Sequence, residues 1–372
     1  MKPNYGPVPG LVHHPRLSWA TVAHLPAGQR VYLGSPSIAR LGDGSLVISN
    51  DLFGAGSACD TTWIHASADD GATWQRIAVL TGQWWSTLFV HEGALYLFGT
   101  TKEYGATVIR RSLDGGQTWT APVDTEHGLL LTDGRFHCAP QPLLVHAGRI
   151  WRAMEDLHGT GRWGYDFRSF LMSAPLGADL LRADSWTASN RVTCDPAWLA
   201  GRCRGWLEGN AVVGSDGLVR ILLRVDLAAG PEVAARLLAS SDGRSLAVDP
   251  LVPFAAFPGG AKKFTIRQDP QSPTTWWTVA SADDQGRGGA PADHRNRLTL
   301  MRSPDLCQWS AVASLLYHPD TARNGFQYVD WIFDGADLLL ACRTAAADGA
   351  GGADTFHDSN LITYHRLIDF RS

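Results

Sequence analysis

The chain has 372 residues, 45% of them hydrophobic, which is enough for a large core, with 39 glycines, 20 prolines and 15 tryptophans. Its 32 Lys and Arg stand against 36 Asp and Glu, a formal net charge of −4, and no Lys/Arg run occurs; nucleic acid and anionic membrane surfaces are therefore not expected partners. No stretch approaches the roughly 18 apolar residues of a membrane span, and the opening Met1–Pro7 lacks the apolar centre of a secretion signal, so a cytoplasmic location is expected.

Residues 1–16 read as a tail, and Leu17–Ala23 as a strand that closes the fold onto its last unit. From Ser35 onward a pattern repeats: apolar strand, glycine turn, apolar strand. The copies span Ser35–Asp51, Trp85–Lys102, His137–Glu155, Glu208–Arg224, Lys263–Ser281 and Gln327–Arg343. Each reads as a β-hairpin. Their near-continuous apolar runs indicate strands covered on both faces. Between hairpins lies a second repeat, Ser67-Ala-Asp69-Asp-Gly71-Ala-Thr73-Trp74, matched by Ser112-Leu-Asp114-Gly-Gly116-Gln-Thr118-Trp119. Weaker copies stand at Ser240–Gly243 and Ser303–Trp309. Asp and Ser side chains bond their own turn backbone, Gly takes positive φ, and Trp packs beneath.

Asp179–Asp184 reads as a short helical turn. Helix-period segments are otherwise nearly absent. Six cysteines (Cys59, Cys138, Cys194, Cys203, Cys307, Cys342) show no Cys-x-x-Cys and are expected as reduced, mostly buried thiols. Cys194 and Cys203 are near enough to pair, and their pairing is left open.

A motif recurring at intervals of tens of residues signals an array of one supersecondary unit. Six hairpins, each followed by one or two further strands, predict an all-β fold: one six-bladed β-propeller of four-stranded antiparallel blades over about residues 17–372. Five or seven blades are the alternatives that the uneven spacing around 156–206 allows.

Topology then places the site. The start of strand one and the end of strand two lie at the same end of a hairpin, and strand one is innermost. The Ser-x-Asp turns join strands three and four, at the opposite end, and are structural. The mouth therefore collects Asp51, Lys102, His137, Glu155, Asp156, Glu208, Asn210, Arg224, Lys262, Lys263, Gln327, Asp330 and Arg343. The loop 356–360 adds His357 and Asp358. Charges converging on one funnel suit a polar ligand.

The octapeptide is the Asp-box, and over about residues 30–370 the chain resembles the sialidase (neuraminidase) superfamily. The resemblance implies that Glu208 supports a nucleophile, that Arg224 binds a substrate carboxylate, that Tyr328 is near the nucleophile's place and that Asp51 is near that of the acid/base. Two positions depart from the family pattern. Tyr32-Leu-Gly-Ser35-Pro36 lacks the first-blade Arg, and Arg343 stands where a Glu is usual. The fifth blade offers Lys263 or Arg267 in place of the third Arg. Trp206–Asn210, Gly260–Phe264, Phe326–Trp331 and His357–Asn360 look like segments of bacterial sialidase-like proteins encoded with polysaccharide-degradation genes.

Three functions are weighed. The first is a glycoside hydrolase acting at a terminal, anionic sugar. It needs an acid and a base or nucleophile on opposite faces: Glu208 with Asp330 is the expected pair, Glu155 or Asp51 follow, and Tyr328 is a candidate nucleophile. Arg224, Arg343, Lys262 and Lys263 could hold a carboxylate or sulfate, Gln327, Asn210, His357 and Asp358 could bind hydroxyls, and Trp84, Trp85, Trp206 and Trp331 could stack on sugar or fill the core. The second is a polysaccharide lyase using His137, His357, Tyr328 and Arg343 beside a uronate. The third is a non-catalytic glycan-binding propeller. No metal-ligand spacing or nucleotide loop occurs, so no cofactor is expected; the partner is a carbohydrate, and the oligomeric state is open.

Overall fold

The computed structural model describes residues 8–282 and 289–372. Six antiparallel sheets stand in a ring. Blade 1 is Tyr32–Arg40, Leu46–Phe53, Thr61–Ser67 and Gln75–Thr81. Blade 2 is Trp84–His91, Ala94–Thr100, Thr107–Ser112 and Leu129–Leu131. In blade 3 the inner strand is split into Phe136–His137 and Leu144–His146, followed by Arg149–Leu157 and Phe167–Pro175. Its outer edge is the pair of short strands Thr187–Ala188 and Val192–Thr193. Blade 4 runs Cys203–Val213, Val219–Leu227, Val233–Ala239, with Leu246–Val248 and Phe254–Ala256 outside. Blade 5 is Phe264–Asp269, Ser272–Ser281, Arg297–Ser303 and Ser310–Tyr317. Blade 6 is Gly325–Asp334, Asp337–Ala345 and Leu361–Leu367.

The ring closes from the N-terminus: Ala20–His24 pairs with Leu361–Leu367. The closing strand thus starts three residues later than expected, with Leu17 making only an isolated bridge to Leu367. Part of the expected tail is also incorporated. Val12–His13 pairs with Leu316 and Tyr317 at the edge of blade 5, and Val8 is buried; residues 1–7 of that tail lie outside the described residues. The expected turn at 179–184 is a 3-10 turn at Ala183–Ser185.

Leu46, Val47 and Ile48 are all fully buried. Successive strand residues point to opposite faces, so a consecutive buried run means that both faces are covered. Each such side chain contributes about 1.5–3 kcal/mol. The cores lie between blades, as where Trp151 and Leu171 of blade 3 meet Trp206 and Ile221 of blade 4. Trp206 and Trp331, weighed for sugar stacking, are fully buried there.

The octapeptides sit between strands three and four. The Asp69 carboxylate accepts from Ser67 Oγ (2.8 Å), Thr73 N (2.8 Å) and Thr73 Oγ1 (2.5 Å), and Trp74 Nε1 donates to Gly71 O. The Asp114 turn repeats this pattern. These bonds hold Asp69 and Asp114 down at about 2. All six cysteines are free thiols, with the sulfurs of Cys194 and Cys203 2.8 Å apart.

Candidate active site

One backbone device recurs at the mouth. In blades 1, 2, 4 and 6 the ladder between the first two strands skips one residue. The gaps fall between Gly34 and Ser37, Trp84 and Thr87, Leu207 and Asn210, and Gln327 and Asp330. Each gap is a bulge with two residues facing one. Its first residue has positive φ: Ser35 (44°), Trp85 (48°), Glu208 (57°) and Tyr328 (52°). Non-glycine residues there cost about 1–3 kcal/mol and cluster at functional sites. Four strained positions at the same place in four blades mark this end of the ring.

In each of these blades the residue two places further on bonds a neighbouring blade. Ser37 Oγ accepts from Leu88 N of blade 2. Thr87 Oγ1 bonds both Gln141 N and Gln141 O of blade 3. Asn210 bonds Ile266 N and Phe264 O of blade 5. Asp330 accepts from Ser37 Oγ (2.7 Å) and Ile38 N (3.1 Å) of blade 1 and pairs with Arg267 (3.2 Å). The free edge of each inner strand would otherwise leave polar groups unpaired near the axis. These side chains therefore form a girdle that stitches blade to blade. Asn210 and Asp330 lie in that girdle and do not line the mouth cavity. Lys263 joins it, with Nζ donating to Thr265 Oγ1 and Val329 O; burial brings this ammonium down to about 8.

Above the girdle is a cavity of about 530 Å³. Of the residues singled out from the sequence, it brings together Asp51, Trp84, Trp85, His137, Arg224, Tyr328, Arg343 and His357. Glu208 and Glu155 lie just beneath, buried. Tyr328 Oη donates to Glu208 Oε1 (2.7 Å), and Arg224 Nη1 donates to Glu208 Oε2 (3.0 Å). His137 Nδ1 meets Glu155 Oε2 (3.0 Å), while Gly209 N donates to Glu155 Oε1. Lys262 is drawn away into an ion pair with Glu232 (2.6 Å). Gln327 bonds Arg295 Nη1 and Phe356 O, and Asp358 pairs with His357 Nδ1 (3.0 Å), so these act behind the lining.

The lining also contains Phe53, Cys59, Glu103, Trp163 and Arg295, which sequence reasoning passed over. All but Phe53 sit on loops between strands two and three. The loop 356–360 of blade 6 was singled out because such loops reach the mouth. The same topological rule applied to the other blades would have found Cys59, Glu103, Trp163 and Arg295.

Three guanidinium groups thus meet here: Arg224, Arg295 and Arg343. Each is anchored twice. Arg224 donates through Nε to Ala261 O and through Nη1 to Glu208. Arg295 donates through Nε to Ala292 O and through Nη1 to Gln327. Arg343 donates through Nε to Ser359 Oγ and through Nη2 to His357 O. Among the described residues the remaining terminal nitrogen of each makes no hydrogen bond. The Arg343 and Arg295 guanidiniums lie 4.9 and 5.9 Å from the centre of the Tyr328 ring.

Electrostatics follow from this burial. Arg343 is pushed down to about 10, first by desolvation and then by Arg295; Arg295 is lowered likewise by desolvation and by Arg224. Burial also raises the Tyr328 phenol, helped by the Glu208 charge. Burial alone would raise Glu208, yet Arg224 and His137 outweigh it and hold its carboxyl below the ordinary range. Asp51 is the opposite case. Its burial outweighs the bonds from Thr62 Oγ1, Trp85 N and Ser35, and its carboxyl is raised well above the ordinary range. Desolvation and Arg343 bring His357 down to about 4. Two carboxyls driven in opposite directions within one site suit a base and an acid respectively. Among the described residues, no cluster of His, Cys, Asp or Glu is arranged to hold a metal ion.

No protein family and no curated protein matches the chain by sequence. Solved structures do match by shape. A protein of unknown function from Dyadobacter fermentans DSM 18053 is 13% identical, with a TM-score of 0.60, over 97% of this chain and 100% of that one. An α-L-arabinanase from Penicillium chrysogenum is 14% identical, with a TM-score of 0.56, over 95% and 99%. A Hadza microbial sialidase is 12% identical, with a TM-score of 0.64, over 94% and 68%. The chain therefore has the six-bladed propeller fold shared by sialidases and arabinanases, and at this identity the likeness concerns the fold.

Proposed function

We propose that the protein is a glycoside hydrolase that removes a terminal, carboxylate-bearing sugar from an oligo- or polysaccharide. The observation that carries this reading is the cluster of three buried arginines around the Tyr328–Glu208 pair, each with one terminal nitrogen unbonded among the described residues. Glu208 pairs with Arg224, whereas among the described residues no carboxylate pairs with Arg295 or Arg343, and buried charge without a counter-charge is costly. A carboxylate seated among these guanidiniums would compensate it with charge-assisted bonds. The arabinanase and sialidase names among the structural neighbours support sugar hydrolysis as the chemistry.

The roles follow from the ionisation states. Tyr328 Oη attacks the anomeric carbon as its proton passes to Glu208. Asp51, kept protonated by burial, gives its proton to the departing glycosidic oxygen as the C–O bond breaks. Water then attacks the glycosyl–Tyr328 bond, with Asp51 accepting the water proton and Glu208 returning one to Tyr328. The arginines fix the sugar through its carboxylate, and Trp85, Trp163 and Phe53 supply apolar wall.

A second reading, β-elimination next to a uronate, is favoured by one feature. His137 lines the cavity with its Nδ1 held by Glu155, so Nε2 is left to take the proton beside a carboxylate neutralised by arginine. The two readings separate on a panel of acidic oligosaccharides analysed by mass spectrometry and ultraviolet absorbance. Hydrolysis yields products heavier in sum by one water and without new absorbance. An absorbing unsaturated uronate would overturn hydrolysis in favour of elimination, and binding without product would leave a lectin-like propeller.

A further inference from the structure

Beside the main cavity is a second cleft of about 470 Å³, and Trp163, Arg224 and Arg295 line both. The new surface comes from Arg162 and Tyr165 on the blade 3 loop, from Arg204 and Asp226 on blade 4, and from Ala292 and Asp293 on the blade 5 loop. We infer that this cleft is a binding subsite for the adjoining sugar residue of the glycan, so that the protein reads at least a disaccharide; this rests on the reading of the main cavity as a sugar site.

The cleft has the chemistry of a sugar subsite. Trp163 is 46% exposed, although it is a large apolar ring. Sugar rings present C–H faces to exposed aromatic rings and hydroxyls to polar groups at the ring edge. Arg162 supplies such a group, its guanidinium lying 3.7 Å from the centre of the Tyr165 ring. Arg204, paired with Asp226 at 2.9 Å, supplies another across the cleft.

The platform is also built to hold its place. The Asp166 carboxylate accepts from Thr160 Oγ1 (2.7 Å) and Arg162 N (2.8 Å), and His158 N donates to Asp166 O (3.0 Å). The loop rests directly on blade 4: a Cβ at Gly205 would lie 2.2 Å from the carbonyl carbon and oxygen of Gly164. Gly205 also has a φ of +143°, so both conformation and space call for glycine. The effect is to set Trp163 between the two spaces.

The test uses calorimetric titration, which needs no turnover, on the Tyr328→Phe protein. The probes are disaccharides ending in a uronic or nonulosonic acid and the methyl glycosides of the corresponding single sugars. Arg162→Ala and Tyr165→Ala, which touch only the second cleft, should each weaken disaccharide binding by about tenfold and leave methyl glycoside binding within about twofold. Gly205→Ala should reproduce the selective loss by lifting the loop. Equal loss on both probe classes, no loss on either, or no disaccharide binding at all would overturn the subsite. Selective loss in a protein whose wild type cleaves nothing would sink the hydrolase reading and keep the subsite; cleavage without dependence on the second sugar would do the reverse.

Discussion

At the residue scale, the site is governed by burial acting on groups of opposite charge. Tyr328, Glu208 and Arg224 form one chain of contacts, and the proton on Tyr328 already points at Glu208 (2.7 Å). Tyr328→Phe keeps the ring and removes only the oxygen proposed as nucleophile. It should lower kcat/KM on the order of 10³-fold with an unchanged circular dichroism spectrum; near-native turnover would remove Tyr328 from the chemistry. Asp51 and Glu208 together set the pH dependence. The proposed mechanism requires Glu208 ionised and Asp51 protonated, so activity should rise as pH climbs through the lowered Glu208 value. It should then fall as pH passes the raised Asp51 value. Asp51→Asn should abolish the descending limb and spare substrates with good leaving groups, as pH–rate profiles on an aryl glycoside and a natural glycan would show. A descending limb unchanged in Asp51→Asn would assign the acid to another group.

At the element scale, the repeated bulge explains how one strand serves two purposes. Its first residue is turned to the mouth, as with Glu208 and Tyr328. The residue two places on, as with Asn210 and Asp330, is turned to the neighbouring blade. This is why Asp330, the carboxylate expected to work beside Glu208, stands in the girdle instead: polarity and position near the axis are common to both jobs, and only the bulge register separates them. Asp330→Ala removes the acceptor for Ser37 and Ile38 and leaves Arg267 without its partner. Arg267 is partly exposed, but leaving the buried Ser37 hydroxyl and Ile38 N–H without their acceptor costs about 1–3 kcal/mol each, so chemical denaturation should register a clear loss of stability. A stable Asp330→Ala protein devoid of activity would return Asp330 to the chemistry. The octapeptide turns, far from the mouth, hold strands three and four together through Asp69 and Asp114.

At the scale of the whole molecule, the propeller depends on closure. The strand Ala20–His24 completes blade 6 from the other end of the chain and covers Leu361–Leu367, whose residues are almost all buried. Truncation through His24 would uncover that edge and leave unpaired strand groups. Such a protein should aggregate or elute as oligomers in size-exclusion chromatography, while a monomer with native cooperativity would show that the ring holds without its clasp. The cavity, being lined by residues from all six blades, should be lost with the ring.

Repetition in the sequence was sufficient for the blade count, the placing of the Ser-x-Asp turns away from the mouth and the choice of which end collects charge. Periods, turn residues and strand order are local properties that the chain carries wherever it folds. Asp51, His137, Arg224, Arg343 and His357 were legible for the same reason, since they stand at hairpin ends or in a mouth loop, while Tyr328 was singled out by the resemblance. Which polar residues face the cavity and which bind the next blade was not legible. Lys262 and Asp330 differ from Arg224 and Tyr328 only in what tertiary packing sets beside them. Arg295 and Trp163 reach the site from loops between strands two and three, which the strand order sends to the mouth but whose facing residues only packing selects. Arg295 joins Arg224 and Arg343 from a loop of blade 5, because closing the ring brings segments distant in sequence to one point.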